Sequence, residues 1–136
     1  MVLTDLAVFS IVALYAVKNN GAGKTMKIGY KVWLDNHGKA FGDGPYELLR
    51  RVEKLMSLHQ AANQMGMSYS KAWRLIQTLE KRLGFALLER KVGGQSGGGS
   101  RVTFQGKDLM SHYERFRKDV ENGLAKIYDK HFGLWE

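Results

Sequence analysis

The period at which apolar residues recur changes along this chain, and each change predicts a different element. In Lys27–Leu34, KIGYKVWL, the residues Ile28, Tyr30, Val32 and Leu34 share one face of a strand, with Lys27, Lys31 and Trp33 on the other. DNHG supplies turn chemistry and KAFG returns, which predicts a β-hairpin. GDGP closes it and sets Pro45 near the first position of a helix. From there the period lengthens. Leu48, Leu49, Val52, Leu55 and Met56 form a helical stripe, with Arg50, Arg51 and Lys54 outside it. Ser57 can cap a second helix, in which Leu58, Ala61, Ala62 and Met65 fall at i, i+3, i+4 and i+7 and which stops at Gly66. Ser68 can cap a third, SYSKAWRLIQTLEKRLG, which buries Ala72, Trp73, Ile76, Leu79 and Leu83 and ends at Gly84.

Two helices joined by a tight Gly-Met-Ser turn form a helix-turn-helix, with Ala61 and Ala62 small enough for close approach. The same spacing also fits a plain corner of a helical bundle. The segment after the third helix favours the helix-turn-helix. FALLERKV has strand-compatible residues, GGQSGGGSR interrupts, and RVTF resumes the strand, so a wing is predicted. From about Gln105 to Phe132 the chain reads as one long helix. Leu109, Tyr113, Phe116, Val120 and Ile127 fall at spacings of 4, 3, 4 and 7, with Leu124 beside the interrupting Gly123. A sustained stripe of this kind seeks a partner helix, so homodimerisation is expected in preference to docking within the chain. The expected fold is mainly α with small β-hairpins (α+β): a winged helix-turn-helix with an N-terminal hairpin and a long C-terminal dimerisation helix. Its parts would be an apolar extension and linker at 1–26, the winged domain at 27–104, the long helix at 105–132 and a tail at 133–136.

Charge sharpens this picture. The 136 residues carry 21 Lys and Arg against 13 Asp and Glu, a net +8, which favours an anionic partner. Between Lys71 and Lys107 stand eight Lys and Arg against Glu80 and Glu89, so +6 of that charge lies where a winged helix would meet phosphates. Cys is absent, so disulfides and thiolate zinc sites are excluded and a reducing cytoplasm is the expected location. His37, His59, His112 and His131 are scattered without ligand spacing, and no metal or cofactor is expected.

Two N-terminal motifs have bland readings. LAVFSIVALYAV, Leu6 to Val17, is too short for a bilayer span of about 20 residues and lacks the flanks of a secretory signal. It reads as a helix docking on the domain or its dimer mate, or as upstream sequence ahead of a start at Met26. GAGKT, Gly21 to Thr25, ends like a phosphate-binding loop, but Lys18 stands where that loop needs its first Gly, so a linker is expected.

The MSYSKAW start of the third helix, the LEKRLG and LLER passages, the GGQSGGG tract and the VTFQG opening the last helix together resemble the N-terminal DNA-binding domain of the ModE family, molybdate-responsive transcriptional regulators related to the LysR-type helix-turn-helix. The resemblance covers about Lys27 to Phe132. It implies a stand-alone regulator. Full-length members carry a C-terminal molybdate-binding module, for which a chain ending at Glu136 leaves no room, so molybdate binding is not expected in these residues.

The expected partner is double-stranded DNA. Ser68, Tyr69, Ser70, Lys71, Arg74, Gln77 and Thr78 would present the recognition helix to the major groove, with Ser70, Lys71 and Arg74 reaching base edges. Tyr69 could instead pack inside or touch a phosphate, and Trp73 belongs to the core. Arg90, Lys91 and Arg101 would flank a tip of Gly93, Gly94, Gln95, Ser96, Gly97, Gly98, Gly99 and Ser100 lying on the backbone or minor groove. Glycines without Cβ permit close approach and offer backbone N–H groups to phosphates. The plainer alternative is a floppy loop. Leu109, Tyr113, Phe116, Val120, Leu124 and Ile127 would hold the dimer, whose two recognition helices would meet half-sites about 34 Å apart. A winged-helix protein-interaction module is the main alternative, and a membrane association rests on Leu6 to Val17 alone. No carboxylate pair, activated nucleophile or metal cluster supports an enzyme.

Overall fold

Residues 13–16, 26–91 and 99–135 are described by the structure, a computed structural model. The GAGKT motif and the wing tip from Val92 to Gly98 lie outside the described residues, as does most of the N-terminal apolar run. The described residues fall into two compact units. One lies within residues 32–111 and the other combines residues from 12–31 and 112–136.

The first unit begins with a hairpin of β3 (Trp33–Asp35) and β4 (Lys39–Gly42), pairing Trp33 with Gly42 and Leu34 with Phe41. The pairing shifts between Leu34 and Asp35. His37 and Gly38 make the turn with φ of 56° and 126°. Phe41 and Ala40 are buried, whereas Trp33 and Leu34 are exposed, so only the returning strand feeds the core.

Helix α1 (Asp43–Leu55) turns the predicted stripe inward: Leu48, Leu49 and Val52 have no exposed surface, each worth about 1.5–3 kcal/mol of burial. Glu47, on its rim, takes hydrogen bonds from Arg50 and Arg51. Ser57 caps α2 (Leu58–Gln64) by accepting from the Gln60 N–H at 3.1 Å. Gly66, at φ 68°, makes the left-handed exit expected of it. Ser68 caps α3 (Tyr69–Leu83) by accepting from Lys71 N–H, and Gly84 ends it at φ 85°. Ala61, Ala62, Ala72, Ile76 and Leu79 are all buried, so the small residues do bring the two helices together.

The wing strands are β5 (Leu88–Lys91) and β6 (Gly99–Val102), paired antiparallel from Leu88 with Val102 to Lys91 with Gly99. The return strand therefore starts two residues before the expected Arg101, and Phe104 already opens the last helix. The reason lies on either side of it. Ser100 N–H donates to the Met56 carbonyl, and Thr103, buried, donates its hydroxyl to Ala86 and accepts from Gly106 N–H as the cap of α4 (Phe104–Phe132).

The second unit corrects the reading of the N-terminus. Residues Ala13–Ala16 form a strand, β1, not a helix, and pair antiparallel with β2 (Lys27–Tyr30). The predicted single strand from Lys27 to Leu34 is thus two, broken at Lys31 and Val32, each half pairing with a different neighbour. Arg117 of α4 donates to the Tyr30 hydroxyl and lies 5.2 Å over its ring. No helix among the described residues is long and apolar enough to cross a membrane.

Candidate nucleic-acid interface

Helix α3 exposes one stripe over its whole length. Positions advance about 100° per residue, which sets Ser70, Arg74, Gln77 and Lys81 within a narrow band, with Lys71 and Thr78 beside it; all six are exposed. Ala72, Ile76 and Leu79 occupy the opposite side and are buried. The residues expected at base edges are therefore on one accessible face. Lys81 completes that face, a contribution the sequence reading missed although its spacing from Arg74 and Gln77 would have shown it.

Two β elements are held on opposite flanks of this stripe by side chains of α3 itself. Glu80 accepts from the backbone N–H groups of Leu87 at 2.6 Å and Leu88 at 3.3 Å, which fixes the first strand of the wing. Arg82 donates to the Lys39 carbonyl at 2.8 Å, and its own carbonyl accepts from Asn36 Nδ2, which fixes the β3–β4 hairpin. Two residues apart on a helix, Glu80 and Arg82 point about 160° apart. Lys81 lies between them, on the open face.

The wing root sits beside the first half of α3. Arg90 lies 5.3 Å over the ring of Trp73, a cation–π contact worth about 0.5–1 kcal/mol at such a site. Trp73, expected in the core, is half-buried at the edge of the apolar stripe and carries this arginine on its ring. Leu83 is likewise half-buried. Arg101, on the opposite strand, is paired with Glu89 at 2.8 Å, and both side chains are about half exposed. Gly99 and Ser100 belong to β6, not to the tip; the Ser100 N–H is bonded to the Met56 carbonyl, and a Cβ on Gly99 would lie 2.6 Å from that same carbonyl. Lys91 ends β5; Gly93, Gly94, Gln95, Ser96, Gly97 and Gly98 lie outside the described residues. Tyr69, 39% exposed, rests against His59 at the head of α3 with ring centroids 5.7 Å apart.

Along α4 the stripe is unevenly used. Leu109 is half-buried and Tyr113 buried within the single chain, while Val120 and Leu124 are half-buried and Phe116 and Ile127 exposed. Any face offered to a partner therefore begins at Phe116. Among the described residues no group of three or more His, Asp or Glu could hold a metal ion.

A capped helix pair with a tight left-handed turn, continued by a two-stranded wing braced on the second helix, is a winged helix-turn-helix. A family model of bacterial regulatory helix-turn-helix proteins of the lysR family matches residues 46–107, which run from α1 through the wing into α4. Over those residues the chain is similar to that family's helix-turn-helix domain, and the domain is ModE-like. The DNA-binding transcriptional dual regulator ModE of Escherichia coli K12 is 34% identical over 110 residues, 81% of this chain and 36% of that protein. The molybdenum-pterin-binding protein MopB of Rhodobacter capsulatus is 29% identical over 112 residues, 82% of this chain and 40% of that protein. The transcriptional regulator ModE of Haemophilus influenzae is 30% identical over 83 residues, 61% of this chain and 32% of that protein. The chain thus spans between 32% and 40% of the length of these relatives.

Proposed function

We propose that this chain is a transcriptional regulator that binds double-stranded DNA in the cytoplasm as a homodimer, with α3 in the major groove and the wing on the backbone or minor groove. The observation that carries this reading is the exposed stripe of α3, on which Lys71, Arg74 and Lys81 have no carboxylate partner among the described residues. A solvated charged face in a structural bundle would ordinarily carry both signs, whereas this one is cationic, interspersed with Ser70, Gln77 and Thr78, the residue types that read base edges. Arg90 at the wing root adds charge beside the first half of the helix, whereas Arg101 is paired with Glu89. The exposed Phe116 and Ile127 and the half-buried Val120 and Leu124 share one side of α4, which supports dimerisation through that side.

The test is selection of bound fragments from a genomic DNA pool by the purified protein, with and without molybdate, and then titration of the selected duplex and a random one. Lys71→Ala with Arg74→Ala is expected to abolish the preference for the selected duplex, about 1–3 kcal/mol per lost base contact, while weak, salt-dependent binding to both persists. An unchanged preference would remove α3 from the role of reading helix. Sedimentation of the protein and of Ile127→Asp tests the dimer: the wild type should sediment as two copies and the variant as one.

A further inference from the structure

Beside the second half of α3, at the far end of the exposed stripe, lies an open cleft. It is lined by Asn36 and His37 of the β3–β4 turn and by Thr78, Lys81 and Arg82 of α3. We infer that this cleft seats a phosphate of the DNA backbone, across α3 from the wing, so that the helix is bracketed by two backbone contacts. The inference rests on the DNA-binding reading above and adds to it a backbone site that the wing does not supply, built jointly by the hairpin turn and the end of α3.

Its construction supports that role. The Arg82 guanidinium lies directly beneath the turn: a Cβ on Gly38 would stand 2.5 Å from its Cζ, and φ 126° at that position is open to glycine almost alone. With its Nη1 held by the Lys39 carbonyl and its own carbonyl held by Asn36, this charge is fixed at the cleft instead of swinging in solvent. Lys81 adds a second, exposed ammonium. The carboxylates nearby do not occupy the cleft's cations. Asp35 accepts from the Gly38 N–H at 3.2 Å, within the turn, and Glu80 holds the wing on the other flank. His37 lines the same cleft from a left-handed backbone position, φ 56°, which costs a non-glycine residue about 1–2 kcal/mol.

Dimensions agree. From Ser70 to Lys81 the exposed stripe rises about 16 Å, whereas the major groove is about 12 Å wide. A helix of this length that enters the groove at an angle, its first turns at base edges, meets the sugar-phosphate rim near its far end, which is where Lys81 and the hairpin turn stand.

The experiment compares wild type, Lys81→Ala and Lys81→Arg on the selected duplex and on a random one across a range of salt concentrations, with phosphate-ethylation interference on the selected duplex. Lys81→Ala is expected to weaken both duplexes equally and to lower the slope of log affinity against log salt by about 0.9, so that raising salt from about 50 to 200 mM costs about threefold less than in wild type. One interfering phosphate should disappear from the pattern. Lys81→Arg should restore both. Unchanged slope and interference in Lys81→Ala would overturn the inference, and so would a loss of preference without loss of slope, which would place Lys81 at a base. Inorganic phosphate is titrated against chloride at matched ionic strength while the Lys81 and His37 resonances are monitored; saturation there together with an unchanged slope in Lys81→Ala would assign the cleft to a free anion and overturn it equally. A wild type that binds no duplex takes down the functional reading as well, whereas wild-type binding with an indifferent Lys81→Ala removes this inference alone.

Discussion

Glu80→Gln should loosen the wing. The Glu80 carboxylate is half-buried beneath the wing root and accepts from two backbone N–H groups, Leu87 at 2.6 Å and Leu88 at 3.3 Å, both in residues that are themselves buried. A hydrogen bond to a charged acceptor contributes about 1.5–3 kcal/mol, and the amide replacement keeps an oxygen for the shorter bond but loses the charge. Only the Leu87 bond is short, so the expected loss is about 1–2 kcal/mol for Gln. For Ala, which leaves a buried N–H without a partner, it is about 2–3 kcal/mol. Urea unfolding should show the midpoint falling by about 1 M for Ala, with an unchanged slope.

The same substitution separates anchoring from charge. Removing Glu80 raises the local positive charge, which by electrostatics alone would strengthen DNA binding. If Glu80 acts by placing the wing, affinity should fall despite that gain, and amide exchange at Leu87, Leu88 and the strands beyond should quicken while α2 stays protected. Affinity that rises, with unchanged stability and exchange, would refute the reasoning: the wing would then be held by its other contacts and Glu80 would be a spectator.

Three single positions carry further expectations. Gly99→Ala places a Cβ 2.6 Å from the Met56 carbonyl, a backbone atom that cannot step aside, and should cost about 1–3 kcal/mol in thermal or urea unfolding. Gly123→Ala meets nothing within 4 Å in the single chain and should stabilise α4 by about 0.5–1 kcal/mol; if sedimentation then shows a weakened dimer, close approach of a partner helix at this position is the cause. Burial pushes the Glu47 carboxyl up, but hydrogen bonds from Arg50 and Arg51 outweigh it and hold it below its ordinary value of 4.5. That pairing therefore contributes stability above pH 4.5 that is lost as pH falls through the lower folded value, and Glu47→Gln should flatten this part of the acid limb in a pH series of urea melts.

What the sequence made legible was what is decided within a few residues. Ser57, Ser68 and Gly84 act as caps because a side-chain oxygen reaches the N–H three residues on, or because glycine alone turns left without strain, and neither depends on the rest of the chain. Strand boundaries depend on partners. KIGYKVWL alternates without a break, yet Ala13–Ala16 takes its first half and Lys39–Gly42 its second, a division no local pattern encodes. The return strand of the wing begins at Gly99 because the Met56 carbonyl, at the end of a helix more than forty residues back in the chain, receives Ser100. Trp73 falls on the apolar stripe, which by itself points to the core; its ring is at the stripe's edge, where Arg90 of the first wing strand covers it.

By pattern alone Glu80 and Arg82 are ordinary polar positions of an amphipathic helix, and they are where the site and the fold meet. Each reaches across to backbone atoms of a different β element, so the wing and the hairpin are both referenced to α3 instead of to each other. A helix that only packed by its apolar face could roll by a fraction of a turn at small cost, since dispersion contacts are individually weak and non-directional. Directional hydrogen bonds on two flanks about 160° apart oppose rolling in either sense. On the proposed function this matters directly: side chains that read base edges must be held to within a fraction of an ångström relative to the groups that grip the backbone, and here both grips are tied to the reading helix itself.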